Sequence, residues 1–214
     1  MIAEVRQTVS GMRAEFLLLS REGTIGSACF PNNFLFGGSC SCSYRAESFV
    51  LQYHPNPPGH NLTRSAPDRR FVPYSILHSG APYGQLFGRF SRDGFFSRYE
   101  YDCLSFGTTE YEMFEVGLGK EGIVYPIYCN SVLAAEIDKD GTVYNNLDCY
   151  RLYALDEASM LHAFLLCLYL DARSFANRGE MMKNSVNKTF YLTTNKKLKA
   201  KYDPAFKQRV ASMP

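Results

Sequence analysis

The residues here that could do chemistry are seven cysteines, four histidines and one short run of lysines. Cys40 and Cys42 make a single C-x-C pair. A zinc site takes four ligands, usually from two such pairs. The chain has no second pair, so His54 and His60 would have to complete a Cys2His2 set. An isolated pair reads instead as two small residues in a turn-rich strand. His162 stands three residues after Ser159, which would place a base near a hydroxyl. Triad chemistry also needs an orienting acid and an exposed elbow such as G-x-S-x-G. That motif is absent, and Ser79 and Ser91 have no such context either, so His162 reads as a core histidine.

Three other patterns dissolve on the same test. Gly117-Leu-Gly119-Lys-Glu-Gly122 imitates a phosphate-cradling loop, but a strand pattern follows it where a helix is needed, so it reads as a hairpin turn. Asp138-Lys-Asp140-Gly141 begins like a calcium loop and lacks the later ligands, which leaves an Asp-Gly turn. Glu110, Glu112 and Glu115 read as a solvated strand face. No metal and no cofactor is expected. What survives is Lys196, Lys197, Lys199 and Lys201, four cations within six residues. Their chemistry is phosphate binding, on lipid or nucleic acid; the plainer alternative is a solvated terminal segment.

Strands must position these residues. AEFLLLS and TIGSACF read as a hairpin over Ala14 to Phe30, with Gly23 in its turn. SFVLQYH, FVPYSILH, YGQLFGRFS, SRYEYDCLSF and TEYEMFEVGLG follow, the last with a slip at Met113–Phe114 that fits a bulge. NNFLFGGSCSCS is a turn region, and Pro55 to Arg70 holds four prolines and reads as a loop. GIVYPIYCN and SVLAAEIDKDG pair through Asn130 and Ser131, and NLDCYRLYALD alternates cleanly. Roughly ten strand candidates precede residue 156, about 8–12 residues apart, the spacing of a sandwich or barrel.

One helix then begins, with Asp156 as N-cap, Glu157 in the first turn and Arg173 at its end. Placed on a 3.6-residue period, Met160 to Leu170 is apolar on every face, so it must be buried on every face. Leu161, Phe164, Leu165 and Leu168 are its expected core. The run is too short to span a bilayer, at roughly 16 Å against about 30 Å. An eight-stranded barrel is about filled by its own side chains, and a helix is about 10–12 Å across. The arrangement that satisfies both is a larger closed barrel around the helix; a sandwich with the helix at a dimer interface is the alternative.

The 214 residues are 46% hydrophobic with a net charge of +2. That excludes wholesale disorder, a collagen repeat and a coiled coil, and gives no overall reason to expect nucleic acid. The balance is an average. Residues 178–214 hold nine Lys and Arg against two Asp and Glu, a net +7; the first 177 hold fourteen against nineteen, a net −5. The N-terminus lacks an apolar leader, and the odd, irregular cysteines fit reduced thiols, so a cytoplasmic protein is expected. TFYLTT reads as one more strand, and DPAFKQRV as a short helix capped by Asp203 with Pro204 at its first position.

Ile123 to Phe175 carries a resemblance. In order it has a strand ending in a turn (YPIYCN), a VLAAEI strand, an aromatic strand (CYRLYALD), an acidic cap, and an apolar helix ending in LDAR. With KYDPAF, Lys201 to Phe206, this resembles the tubby C-terminal-like superfamily, and within it a branch of small bacterial proteins. Tubby proteins, phospholipid scramblases and the LURP-one-related proteins of plants are relatives. The calcium segment and palmitoylated cysteine cluster of scramblases have no counterpart here.

The resemblance implies a mainly β fold, a closed antiparallel barrel of about a dozen strands around a central helix at 157–175. Residues 1–177 would form the barrel, with 178–214 a basic extension packing on it or trailing from it. It implies non-catalytic binding of anionic lipid or a protein partner. A small-ligand or enzyme pocket at the barrel mouth and a structural, dimerising role are the other readings.

Overall fold

A computed structural model describes residues 1–31, 39–54, 74–93, 97–175, 186–188 and 191–213. His60, the Pro55–Arg70 loop and most of the turn region after Pro31 lie outside the described residues. The strands are β1 (Ile2–Val9), β2 (Ala14–Ser20), β3 (Gly23–Phe30), β4 (Cys40–Tyr44), β5 (Glu47–Tyr53), β6 (Tyr74–His78), β7 (Ala81–Asp93), β8 (Ser97–Phe106), β9 (Thr109–Phe114), β10 (Val116–Gly119), β11 (Ile123–Cys129), β12 (Val132–Lys139), β13 (Thr142–Tyr144), β14 (Cys149–Ala154), β15 (Val186–Lys188) and β16 (Tyr191–Leu192). The helices are α1 (Glu157–Leu170), extended by a π-helical turn (Asp171–Phe175), α2 (Lys196–Lys199) and α3 (Phe206–Ala211).

Twelve strands close into an antiparallel barrel. Its order runs from β14 through β1 to β9 in sequence, then β11 and β12, and β12 pairs back onto β14. The closing strand runs antiparallel to both neighbours, which an all-antiparallel ring allows only for an even number of strands. Period-two burial drives it: in β2, Ala14, Phe16 and Leu18 are buried while Glu15, Leu17 and Leu19 are not. The hairpin between β11 and β12 turns through Asn130 and Ser131, both at positive φ, as a tight two-residue turn requires. The slip at Met113–Phe114 is a strand break at Glu115, where β9 gives way to β10.

The barrel surrounds α1. Tyr44 of β4 bonds Glu157, Tyr74 of β6 packs on Tyr169, and Tyr83 of β7, Phe106 of β8 and Tyr111 of β9 all pack on His162. From the far wall, Tyr150 of β14 bonds Asp171. Contacts from six strands explain why Phe164, Leu165 and Leu168 are fully buried. Each such side chain removed from water contributes about 1.5–3 kcal/mol. Leu161 is the correction: it is only partly buried, packed at the edge of the core. Asp156 caps the helix as expected, its carboxylate accepting from Ser159 N at 2.7 Å.

The path fixes two ends. α1 enters at the upper end, beside the start of β12, and its last residues reach the lower end, where β12 stops and β14 begins. The upper rim is ion-paired, Arg45 with Glu22 and Glu157, and His78 Nε2 lies 3.2 Å from Glu47. From the lower end the C-terminal segment climbs the outer wall. β16 pairs with β10, Leu198 packs with Phe114, Val116 and Val124, and Phe206 and Val210 pack with Tyr153. The terminal helix begins at Phe206, later than expected. Asp203 accepts from Ala205 N and makes a turn instead of capping the helix.

Candidate functional site

The lysines sit on this climbing segment. Asn195 caps α2, its side-chain oxygen accepting from Lys197 N and Leu198 N. Leu198 is buried against the wall, and Lys196, Lys197 and Lys199 are exposed around it. Lys201 departs from them. Its ammonium lies 4.3 Å from the Phe114 ring and 4.8 Å from the Tyr128 ring, and its carbonyl accepts from Tyr128 Oη at 2.8 Å. Lys201 therefore anchors the tail to the barrel, and three lysines face solvent. The stretch from Tyr191 to Tyr202 contains no Asp or Glu.

Upstream, Gly117 N donates to Thr193 Oγ1 at 2.8 Å, and Thr193 N donates to Gly117 O at 3.0 Å. A side chain at Gly117 would overlap the Tyr191 backbone, so glycine is what lets β16 approach. Downstream, Lys207 of α3 lies 2.6 Å from Asp138 and 3.5 Å from Glu136. That second distance is long for a hydrogen bond. Glu136 is fully buried without a donor on either oxygen, and burial, only partly opposed by Lys207, lifts its carboxyl to about 7.

The remaining candidates are spent on structure. Cys40 and Cys42 both point into the core from β4, and burial raises the Cys40 thiol well above its usual range, which keeps it protonated and unreactive. His54 bonds Ser75, not the cysteines. His162 is buried among rings, with Phe106 at 4.6 Å and Tyr111 at 4.5 Å. Gly117 and Gly119 belong to β10 and the turn itself is Lys120–Glu121, while Asp140–Gly141 make a turn in which Asp140 accepts from Thr142 N. The glutamates are not a freely solvated face: Glu110 pairs with Arg89, and Glu115 is half-buried with its carboxyl raised by burial.

Two buried polar clusters at the lower end escaped the sequence reading. Lys139 pairs with Asp148 and lies over the rings of Tyr150 and Phe175, while Tyr150 Oη donates to Asp171 at 2.7 Å. Across the barrel, Arg173 lies 2.9 Å from Asp102. Burial lifts Asp102 and Asp171 each to about 7. Arg173 opposes the shift at Asp102; at Asp171 the neighbouring Asp148 adds to it. The only signal for them was Asp171 and Arg173 standing directly after an apolar run.

Comparison with protein-family models, with curated proteins and with solved structures gives no match. Among the described residues no helix is long and apolar enough to cross a membrane.

Proposed function

We propose that this chain is a non-catalytic, tubby-like binding domain that takes an anionic lipid surface on the outside of its barrel, through Lys196, Lys197 and Lys199. The observation that carries this reading is the mounting of α2. Leu198 pins the helix to the wall while the three lysines lie exposed around it. The barrel interior supports an outside site, because α1 and its neighbours fill it. The tubby-like assignment draws support from the closed twelve-stranded barrel around a C-terminal helix, the architecture its residue pattern implied.

Each lysine near an anionic membrane contributes about 1 kcal/mol, screened by salt. Flotation with phosphatidylcholine vesicles, with and without phosphatidylserine or a phosphoinositide, is the test. Binding is expected only with anionic lipid, weakening with salt, and lost in Lys196→Glu/Lys197→Glu/Lys199→Glu. No flotation with any anionic vesicle at low salt overturns the reading.

A further inference from the structure

The large apolar side chains left in solvent are not scattered. Among the described residues seven are exposed, and the strand order places five of them at the lower end. Val9 ends β1 and Met12 tips the β1–β2 turn. Tyr144 ends β13, and Tyr191 and Leu192 form β16. Met12 is 69% exposed, Leu192 62% and Tyr144 60%. At the upper end two are exposed, Val132 at the β11–β12 turn and Met213 just after α3. Single exposed apolar residues need no explanation, but a group of them does.

We infer that the lower end of the barrel, with Met12, Tyr144, Tyr191 and Leu192 at its tips, is a membrane-inserting face. This rests on the lipid reading above. The charge beside it selects that occupant. Arg13 is paired with Glu15, Lys120 stands next to Glu121, and the exposed Asp140 precedes β13, so positive charge at this end is supplied by α2, which starts four residues after Leu192. Tyrosines and aliphatic side chains flanked by lysines match a headgroup boundary. The rings and methyls enter the acyl edge while the ammonium groups stay with the phosphates. The upper rim, closed by the Arg45, Glu22 and Glu157 ion pairs, offers no such match.

The protein contains no tryptophan, so one introduced indole reports its own surroundings. Met12→Trp, Leu192→Trp and, as the opposite-end control, Val132→Trp are titrated with phosphatidylcholine–phosphatidylserine vesicles. The first two are expected to shift to the blue and be quenched by brominated lipid, and the third to do neither. Met12→Glu and Leu192→Glu are expected each to weaken vesicle partitioning by about ten-fold or more. Flotation with Met12→Trp and Leu192→Trp unshifted, or with Val132→Trp shifted equally, overturns this face and leaves the lysine reading standing. No flotation at all removes both. A blue shift that follows protein concentration without vesicles, together with dimer sedimentation, overturns the proposal in favour of a second copy of the chain.

Discussion

Tyr83 Oη lies 2.8 Å from His162 Nε2, tying the β7 wall to the central helix inside a stack of aromatic rings. Burial there lowers the imidazole's pKa to about 4; the Ala158 carbonyl and Asp156 favour the charged form but are outweighed. The unfolded chain protonates this histidine near 6.5. Between those values the unfolded state holds the extra proton, so this residue's contribution to stability falls as pH drops from about 6.5 to about 4. By pH 5 the loss is about 2 kcal/mol. His162→Phe, which keeps the stack, is expected to remove that loss. Urea unfolding of both proteins at pH 7 and pH 5 checks it; an equal change with pH in the two would contradict it.

Asp171 works in the opposite direction. Its folded pKa of about 7 exceeds that of a free aspartate, so the folded state holds the extra proton. Its contribution is present below about pH 4 and is lost as pH rises through 7. Asp171→Asn keeps an acceptor for Tyr150 and removes the titration. We expect it to match the wild type near pH 3.5 and to exceed it at pH 8 by about 1 kcal/mol or more. Chemical unfolding at the two pH values decides this, and a variant less stable at pH 8 would show that the ionised carboxylate is needed.

Leu165 is fully buried at the middle of α1, within the main apolar core. Leu165→Ala is expected to cost about 2–5 kcal/mol through lost burial and a residual cavity. Leu165→Asp, which places an unpaired charge in the barrel, is expected to abolish folding. Circular dichroism and thermal melting report both. A soluble, cooperatively melting Leu165→Asp protein would remove the helix from the centre of the fold.

Gly117→Ala tests the seat of β16. The new methyl collides with the Tyr191 backbone, while the twelve-stranded ring does not use that pairing. Amide exchange is expected to quicken over residues 191–199 with the barrel protected as before. Unchanged exchange there would show that the strand can shift to admit the side chain.

Much of the fold was legible because its cause is local. Alternation in segments such as CYRLYALD fixes which side chains face inward, and the all-round apolar α1 requires a surrounding wall. The Asp156 cap and the Asn130–Ser131 turn follow from neighbouring residues alone. The candidate site was legible in part: the lysine run was visible, but not the removal of Lys201 onto Phe114 and Tyr128.

What the sequence determined by itself was most of the strands, though not β1 or β4, together with the buried helix and the uneven charge, since period, propensity and composition belong to contiguous residues. Tertiary structure alone decided which distant groups met. Arg173 reaches Asp102 because the closed barrel wraps β8 round the end of α1, and Lys207 reaches Glu136 because the C-terminal segment climbs the outer wall onto β12; no local pattern encodes either distance. The same closure gathers Met12, Tyr144 and Leu192 at one end. Each is an ordinary exposed residue in its own segment, and they share an end only because antiparallel strands alternate direction around the ring.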